Sequence, residues 1–238
     1  KSAHSVFLQY IKLFFFFLLF AFRMSGIYGQ LAIDVGYMGS TFSSNKFRPI
    51  IKAFNSYLPN SSKAMKKMNY MNGLHFSISS TQLPVNIYAE YNGTFVSLSG
   101  KRLINSSNNQ YNYIFNYSDN AVGAGLLSGN ANIVKVGASL LYNFVSIKQY
   151  TTDNSKRLLL KGDNFLSFKP YFDFRLGAEE DRVNASLRLF ANIPLKKTDI
   201  SGISTAMDPE NRAGLDQSDL NQKLTTFGIS FILHNKRY

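Results

Sequence analysis

The chain has 238 residues and a formal net charge of +12, and 17% of its residues are charged. It contains no Cys, which excludes a disulfide framework, a thiolate metal site and a cysteine nucleophile. A basic chain can indicate nucleic-acid binding, but no nucleic-acid motif is present and the N-terminus predicts export. We therefore expect no nucleic-acid partner.

The N-terminal segment has the organisation of a secretory signal peptide. A basic start is followed by the apolar run LFFFFLLFAF (13–22) and then by small residues. The run is about half as long as a membrane-spanning helix requires. We expect a signal peptide over 1–29 and one domain over 30–238, with an uncleaved anchor over 6–22 as the alternative.

The rest of the chain alternates apolar and polar residues with period two, as strands with two unlike faces do. In 31–42, for example, Ile33 and Val35 alternate with Asp34 and Gly36. The segment 132–149 is apolar on both parities, so its facing is ambiguous. The predicted strands are 31–42, 74–82, 84–100, 110–118, 132–149, 167–176, 183–193 and 224–234.

The connections between these strands alternate in length. Segments 43–73 and 195–223 are long, whereas the turns at 82–84 and AEEDR (178–182) are tight. The connection 119–131 is longer than this alternation requires, and the alternative is that part of it extends the flanking strands. Short turns at one end and long loops at the other are typical of transmembrane barrels of the bacterial outer membrane.

The first long loop allows two interpretations. It is either a loop that packs over the barrel rim or the site of a short helix between Pro49 and Tyr57. In a helix, Ile51, Phe54 and Leu58 would lie near one face, which would suit a partner or a membrane surface.

Period two alone does not say whether the apolar face meets lipid or a protein core. In a soluble barrel it points inward, and in a membrane barrel it points outward. The loop lengths and the polar face, which mixes small residues with charges of both signs, favour the membrane. We predict an all-β fold, an eight-stranded antiparallel up-and-down transmembrane β-barrel. The alternative is a soluble secreted β-barrel that binds a small apolar ligand.

The polar face predicts a charge network inside the barrel. An eight-stranded interior is just wide enough to be filled by side chains, so we expect no general diffusion pore, although a narrow polar path stays open as an alternative. The residues of the predicted network are Asp34, Glu90, Lys169, Asp173, Arg175 and Arg188.

The segment YGQ before LAIDVGY, the aromatic alternating strands and the closing LTTFGISFILHNKRY resemble small eight-stranded outer-membrane barrels of the OmpA/OmpX kind, particularly those of Bacteroidota. The resemblance covers 30–238 as a pattern and implies a bacterial outer-membrane location. It also implies a terminal aromatic that the insertion machinery reads, here Tyr238 or Phe231.

One hairpin carries a candidate catalytic trio. His75 and Ser77 lie on the polar face of one predicted strand, and Glu90 lies on that of the next. Some outer-membrane barrels that deacylate lipid A use a similar trio, which makes a lipid hydrolase the alternative function. Our first interpretation is that these three are lumen-filling polar residues and that the protein is not an enzyme.

The external loops predict the partner. If they face the outer leaflet, their basic residues meet glycolipid phosphates, so we expect lipid and glycolipid partners, with a protein partner through the long loops as a further option. No ligand pattern predicts a metal, and no cofactor is expected. The basic residues of the first loop, which has no acidic residue, are Lys46, Arg48, Lys52, Lys63, Lys66 and Lys67.

Overall fold

The computed structural model describes residues 31–43, 47–57, 63–80, 85–103, 110–128, 134–150, 156–160, 164–176 and 183–235. The predicted signal peptide, the AEEDR turn and Tyr238 lie outside the described residues. None of the helices within these ranges is both long enough and apolar enough to cross a membrane.

The described chain is mainly strand, with three short helices between strands. The elements in chain order are β1 (Leu31–Phe42), α1 (Phe47–Ser56), β2 (Met71–Ser80), β3 (Val85–Leu103), β4 (Gln110–Ser128), β5 (Val134–Tyr150), β6 (Lys156–Leu160), β7 (Phe165–Leu176), β8 (Val183–Pro194), β9 (Thr198–Asp199), α2 (Ser201–Met207), α3 (Gln217–Leu220), β10 (Asn221–Gln222) and β11 (Thr226–Asn235).

Eight of these strands form a closed antiparallel barrel. Their order is β4-β3-β2-β1-β11-β8-β7-β5, and the pairing of β4 with β5 closes the circle. The first and last barrel strands, β1 and β11, pair antiparallel along their length. Closure gives each of these eight strands a hydrogen-bonding neighbour on both sides, as a sheet surrounded by lipid requires. The predicted fold class is confirmed.

The long and short connections lie at opposite ends of the barrel. One end, the cap end, carries α1, β6, α2 and α3, and the other, the short-turn end, carries only short connections. Most of the predicted connection 119–131 extends a flanking strand, which was the alternative for this segment, because β4 continues to Ser128. In its last part small residues such as Gly123 and Gly125 face inward, so the alternation of polarity is weak there.

The outside of the barrel is apolar and the inside is polar. Val35, Leu74 and Phe172 are 54%, 58% and 53% exposed on the outer surface. On the inside, Glu90 and Lys169 are buried. This distribution contradicts the soluble alternative, which would bury the apolar face. The outward apolar residues form a band around the barrel, which we call the apolar belt.

The upper part of the barrel reverses this polarity. On β4, Tyr113, Phe115 and Tyr117 point inward and are buried, while Asn112 is exposed outside. Strands β3, β4 and β5 extend beyond the belt at the cap end, where water replaces lipid outside and the cap covers the inside. The rule that the apolar face meets lipid is therefore wrong for this part of β4.

The cap is an apolar core on top of the polar lumen. Helix α1 begins at Phe47, before the predicted Pro49, and buries one face. Proline is tolerated there because the first helical turn has no intrahelical partner for its N–H. The apolar core contains Phe42, Phe47, Ile50, Ile51, Phe54, Met65, Met68, Met71, Leu98, Tyr113, Phe115, Tyr117, Val145, Ile147, Phe165, Ile200, Ile203, Met207, Leu220 and Leu224.

A polar clasp joins α1 to the last long connection. The buried carboxylate of Asp208 accepts the hydroxyl of Tyr57 at 2.8 Å and the backbone N–H of Arg212 at 2.8 Å. The Arg212 guanidinium stacks over the Tyr57 ring at 3.7 Å. Partial burial and the bond to Asp208 raise the pKa of the Tyr57 hydroxyl. The clasp holds α1 over the barrel mouth.

Candidate functional site

The centre of the lumen is organised around the carboxylate of Glu90. Its Oε2 accepts Lys169 Nζ at 3.0 Å and Asn92 Nδ2 at 2.9 Å, and its Oε1 accepts the hydroxyl of Ser139. Lys169 Nζ also donates to Asn92 Oδ1 at 3.0 Å. His75 Nδ1 lies 2.8 Å from the same Asn92 oxygen and 3.5 Å from Glu90. These residues come from β2, β3, β5 and β7, so the cluster links strands on opposite sides of the lumen.

A second ion pair joins β7 to β8. Arg188 donates through Nε at 3.0 Å and through Nη2 at 2.7 Å to Asp173 Oδ2. The guanidinium stacks on the ring of Tyr171 at 4.1 Å. The side chains of Arg188 and Asp173 are 3% and 5% exposed. The predicted network residue Arg175 lies farther along β7 and is only half-buried.

A third network bridges the first and last barrel strands. Asp34 Oδ2 accepts the hydroxyl of Ser77 at 2.7 Å, and Asp34 Oδ1 lies 2.8 Å from His234 Nδ1. The other ring nitrogen of His234 lies 2.7 Å from Ser186 Oγ. Sequence reasoning did not select His234, although it has the inward parity of its strand. Its pairing with Asp34 depends on closure of the barrel.

The structure does not assemble the candidate catalytic trio. The Ser77 hydroxyl donates to Asp34, and the Nδ1 of His75 faces Asn92 and Glu90. His75 Nε2, the atom that would take a proton from a nucleophile, is buried and hydrogen-bonds to no side chain in the described part of the chain. His75 and Ser77 are each 1% exposed inside the barrel, away from the lipid face and the rim where a lipid substrate would arrive.

We expect Ser77→Ala to act on stability and not on lipid chemistry. The substitution removes one hydrogen bond from buried Asp34, which costs about 1–3 kcal/mol. Stability is measured as the temperature at which heating changes the migration of the protein on a gel. Lipid chemistry is measured by the mass spectrum of membrane lipid A. A lipid A acyl chain that is retained only in the variant would contradict this interpretation and restore the enzyme alternative.

A cavity of about 20 Å³ lies above the Glu90 cluster, with Asp119, Asn143 and Lys169 among its lining residues. This volume holds about one water molecule. Among the described residues, no group of three or more His, Asp or Glu side chains is placed to hold a metal ion. Among the described residues, buried polar side chains face the lower part of the lumen and buried apolar ones form the cap.

The basic residues of the first loop lie on the outer surface of the cap. Arg48 and Lys52 are exposed on α1, one turn apart and opposite its buried face. Lys63, Lys66 and Lys67 are exposed on the segment that leads into β2, and Lys66 and Lys67 lie between buried Met65 and Met68. The side chain of Lys46 lies outside the described residues.

The closed barrel, its apolar belt and its polar lumen define the class of this protein: it is an eight-stranded β-barrel of the outer-membrane type. No protein-family model matches the sequence, and no curated protein matches it.

Two similar solved structures are of Ail, the attachment invasion locus protein of Yersinia pestis. One is Ail without a named ligand, at 12% identity and a TM-score of 0.44. The other is Ail in complex with the heparin analogue sucrose octasulfate, at 10% identity and a TM-score of 0.41. Each comparison covers 88% of this chain and 99% of the Ail chain.

Proposed function

We propose that this protein resides in a bacterial outer membrane, has a structural or surface-interaction role, and acts through its cap and not through its lumen. One observation carries the proposal: polar networks and an apolar core fill the barrel, while the exposed surface of the cap's first loop is basic. These buried side chains favour a lumen closed to solutes, and the external surface is then the part that acts on other molecules.

The charge of that surface suggests anionic glycolipid as the partner. The segment 47–70 contains basic residues but no acidic residue, and every described basic side chain in it is exposed. Each basic group near an anionic membrane surface contributes about 1 kcal/mol of attraction. The loop therefore suits the phosphate groups of glycolipids in the outer leaflet.

The test is binding of bisphosphorylated lipid A to the detergent-solubilised protein, measured by titration in native mass spectrometry. Neutralising the six basic residues of the first loop to Gln should weaken binding about ten-thousandfold at low ionic strength, since six contributions of about 1 kcal/mol are removed. Higher salt should weaken binding by the wild type in the same direction. Equal affinities for the wild type and the variant would overturn the proposed role of this loop. The substituted residues are Lys46, Arg48, Lys52, Lys63, Lys66 and Lys67.

A further inference from the structure

The barrel has a low side and a high side at the cap end. Strands β3, β4 and β5 extend far beyond the belt, whereas β1, β2, β8 and β11 end close to it. Directly after β8, the outward apolar residue Leu195 is 56% exposed, and its N–H donates to Leu166 O on β7 at 2.8 Å. On β11 the uppermost outward apolar residue is Phe227, 50% exposed. The low rim therefore lies where lipid headgroups begin.

Exposed lysines lie directly above the belt on this low rim. Lys196 and Lys197 follow Leu195, and Lys223 comes shortly before Phe227. Because β8 and β11 are neighbouring barrel strands, both sets lie on the same part of the rim. The same connection carries acidic residues between 199 and 219, so its overall charge is mixed.

A short ladder beside two of these lysines sets their relative position. The short ladder of β9 and β10 pairs Asn221 with Asp199 and Gln222 with Thr198. Continuing this register by one residue places Lys223 opposite Lys197. Like charges opposite each other repel, and an anion between them would remove the repulsion. The nearby carboxylate of Asp199 accepts the Ser201 backbone N–H at 2.8 Å, at the start of α2.

Farther around the rim, a tyrosine lies near the top of the apolar belt. Tyr70 is 55% exposed and its ring lies against the outer wall of β1 at Gly39, where a Cβ would overlap it. Gly39 pairs with Ile229 on one side and with Asn72 on the other, within the upper part of the belt. Tyrosine at this level is typical of the membrane–water interface. Lys66 and Lys67, which shortly precede Tyr70 in the first loop, add to the exposed lysines of the low rim.

We propose that Lys197 and Lys223, with Lys196 beside them, form a docking site for the phosphate group of an anionic lipid in the same leaflet. The inference rests on the proposed function and specifies its ligand and position. The acyl chains of the lipid would lie along the apolar belt below Leu195 and Phe227, and its phosphate would lie between the two lysines. The lysines lie directly above the apolar belt, which would contact the acyl chains of a lipid. A soluble anion would make no such contact, so the position favours a lipid.

The experiment compares two double variants with the same change of charge. Lys197→Gln/Lys223→Gln removes the proposed site, and Lys148→Gln/Lys156→Gln removes two lysines of the high strands β5 and β6. On β5 the last outward apolar residue is Phe144, so Lys148 lies about 13 Å farther along the strand. In native mass spectrometry with bisphosphorylated lipid A, the first variant should bind about thirtyfold more weakly than wild type, and the second should bind like wild type.

The outcomes separate this inference from the proposed function. If the Lys197/Lys223 variant binds like wild type while the first-loop variant loses binding, the docking site is wrong and the function stands. If neither variant loses binding, both fail. Equal binding of dephosphorylated lipid A, or equally strong binding of inorganic pyrophosphate, would overturn phosphate-lipid recognition at this site. Heat-modified migration of each variant verifies that the barrel is folded.

Discussion

Lys169→Met should destabilise the barrel by about 3–5 kcal/mol, because it leaves the carboxylate of Glu90 buried without its cation. Lys169 Nζ lies 3.0 Å from Glu90 Oε2, and the side chain of Glu90 is fully buried. Methionine keeps most of the volume of lysine, so the loss reports on charge more than on packing. The measurement is the midpoint of unfolding in urea for the protein refolded in lipid vesicles. The folded fraction is monitored by the heat-dependent migration of the protein on a gel.

The double variant Glu90→Gln/Lys169→Met is the control for this prediction. It removes both charges and keeps an amide that can pair with Ser139, so most of the lost stability should return. Lys101→Met, an equivalent change on the outside of β3, should alter the free energy of unfolding by less than about 0.5 kcal/mol. If the loss in free energy of unfolding of the double variant equalled the sum of the losses of the two single variants, Glu90 and Lys169 would not be energetically coupled.

Gly123→Ala should cost more than about 3 kcal/mol or prevent insertion, because a methyl group has no room at this position. A Cβ at Gly123 would lie 2.9 Å from Leu141 Cα and closer still to the carbonyl oxygen of Leu140. The obstacle is backbone of the neighbouring strand and cannot be relieved by a rotamer change. Gly123 also pairs with Glu90 on the other side, so a displaced β4 backbone would disturb the strand that carries the central carboxylate.

The matched control is the next residue, which faces the other way. Ala124 is exposed on the outer surface, so Ala124→Val adds more volume than Gly123→Ala but directs it into lipid. We expect Ala124→Val to insert like wild type. The readout for both variants is the yield of heat-modifiable protein in the outer-membrane fraction. Normal folding of Gly123→Ala would contradict this prediction. It would show that β4 and β5 can move apart while the barrel stays closed.

Much of the barrel could be predicted because the information is local. Period two assigned Val35 to one face of its strand and Asp34 to the other, and the loop lengths indicated that the apolar face meets lipid. The prediction failed on the upper part of β4, where three successive inward positions are aromatic: Tyr113, Phe115 and Tyr117. Alternation does not show where a strand leaves the membrane, so it could not show that the polarity reverses.

The amino-acid sequence determined the strands, their two faces and the end of the barrel that carries the long loops, since these follow from side-chain direction and chain length. Only the tertiary structure decided which charges meet. Asp34 pairs with His234, 200 residues away, and Glu90 pairs with Lys169, 79 residues away. The juxtaposition of the two rim lysines likewise depends on how β9 meets β10. These partners are set by the register at which the strands close into a barrel, and the register is a property of the whole sheet.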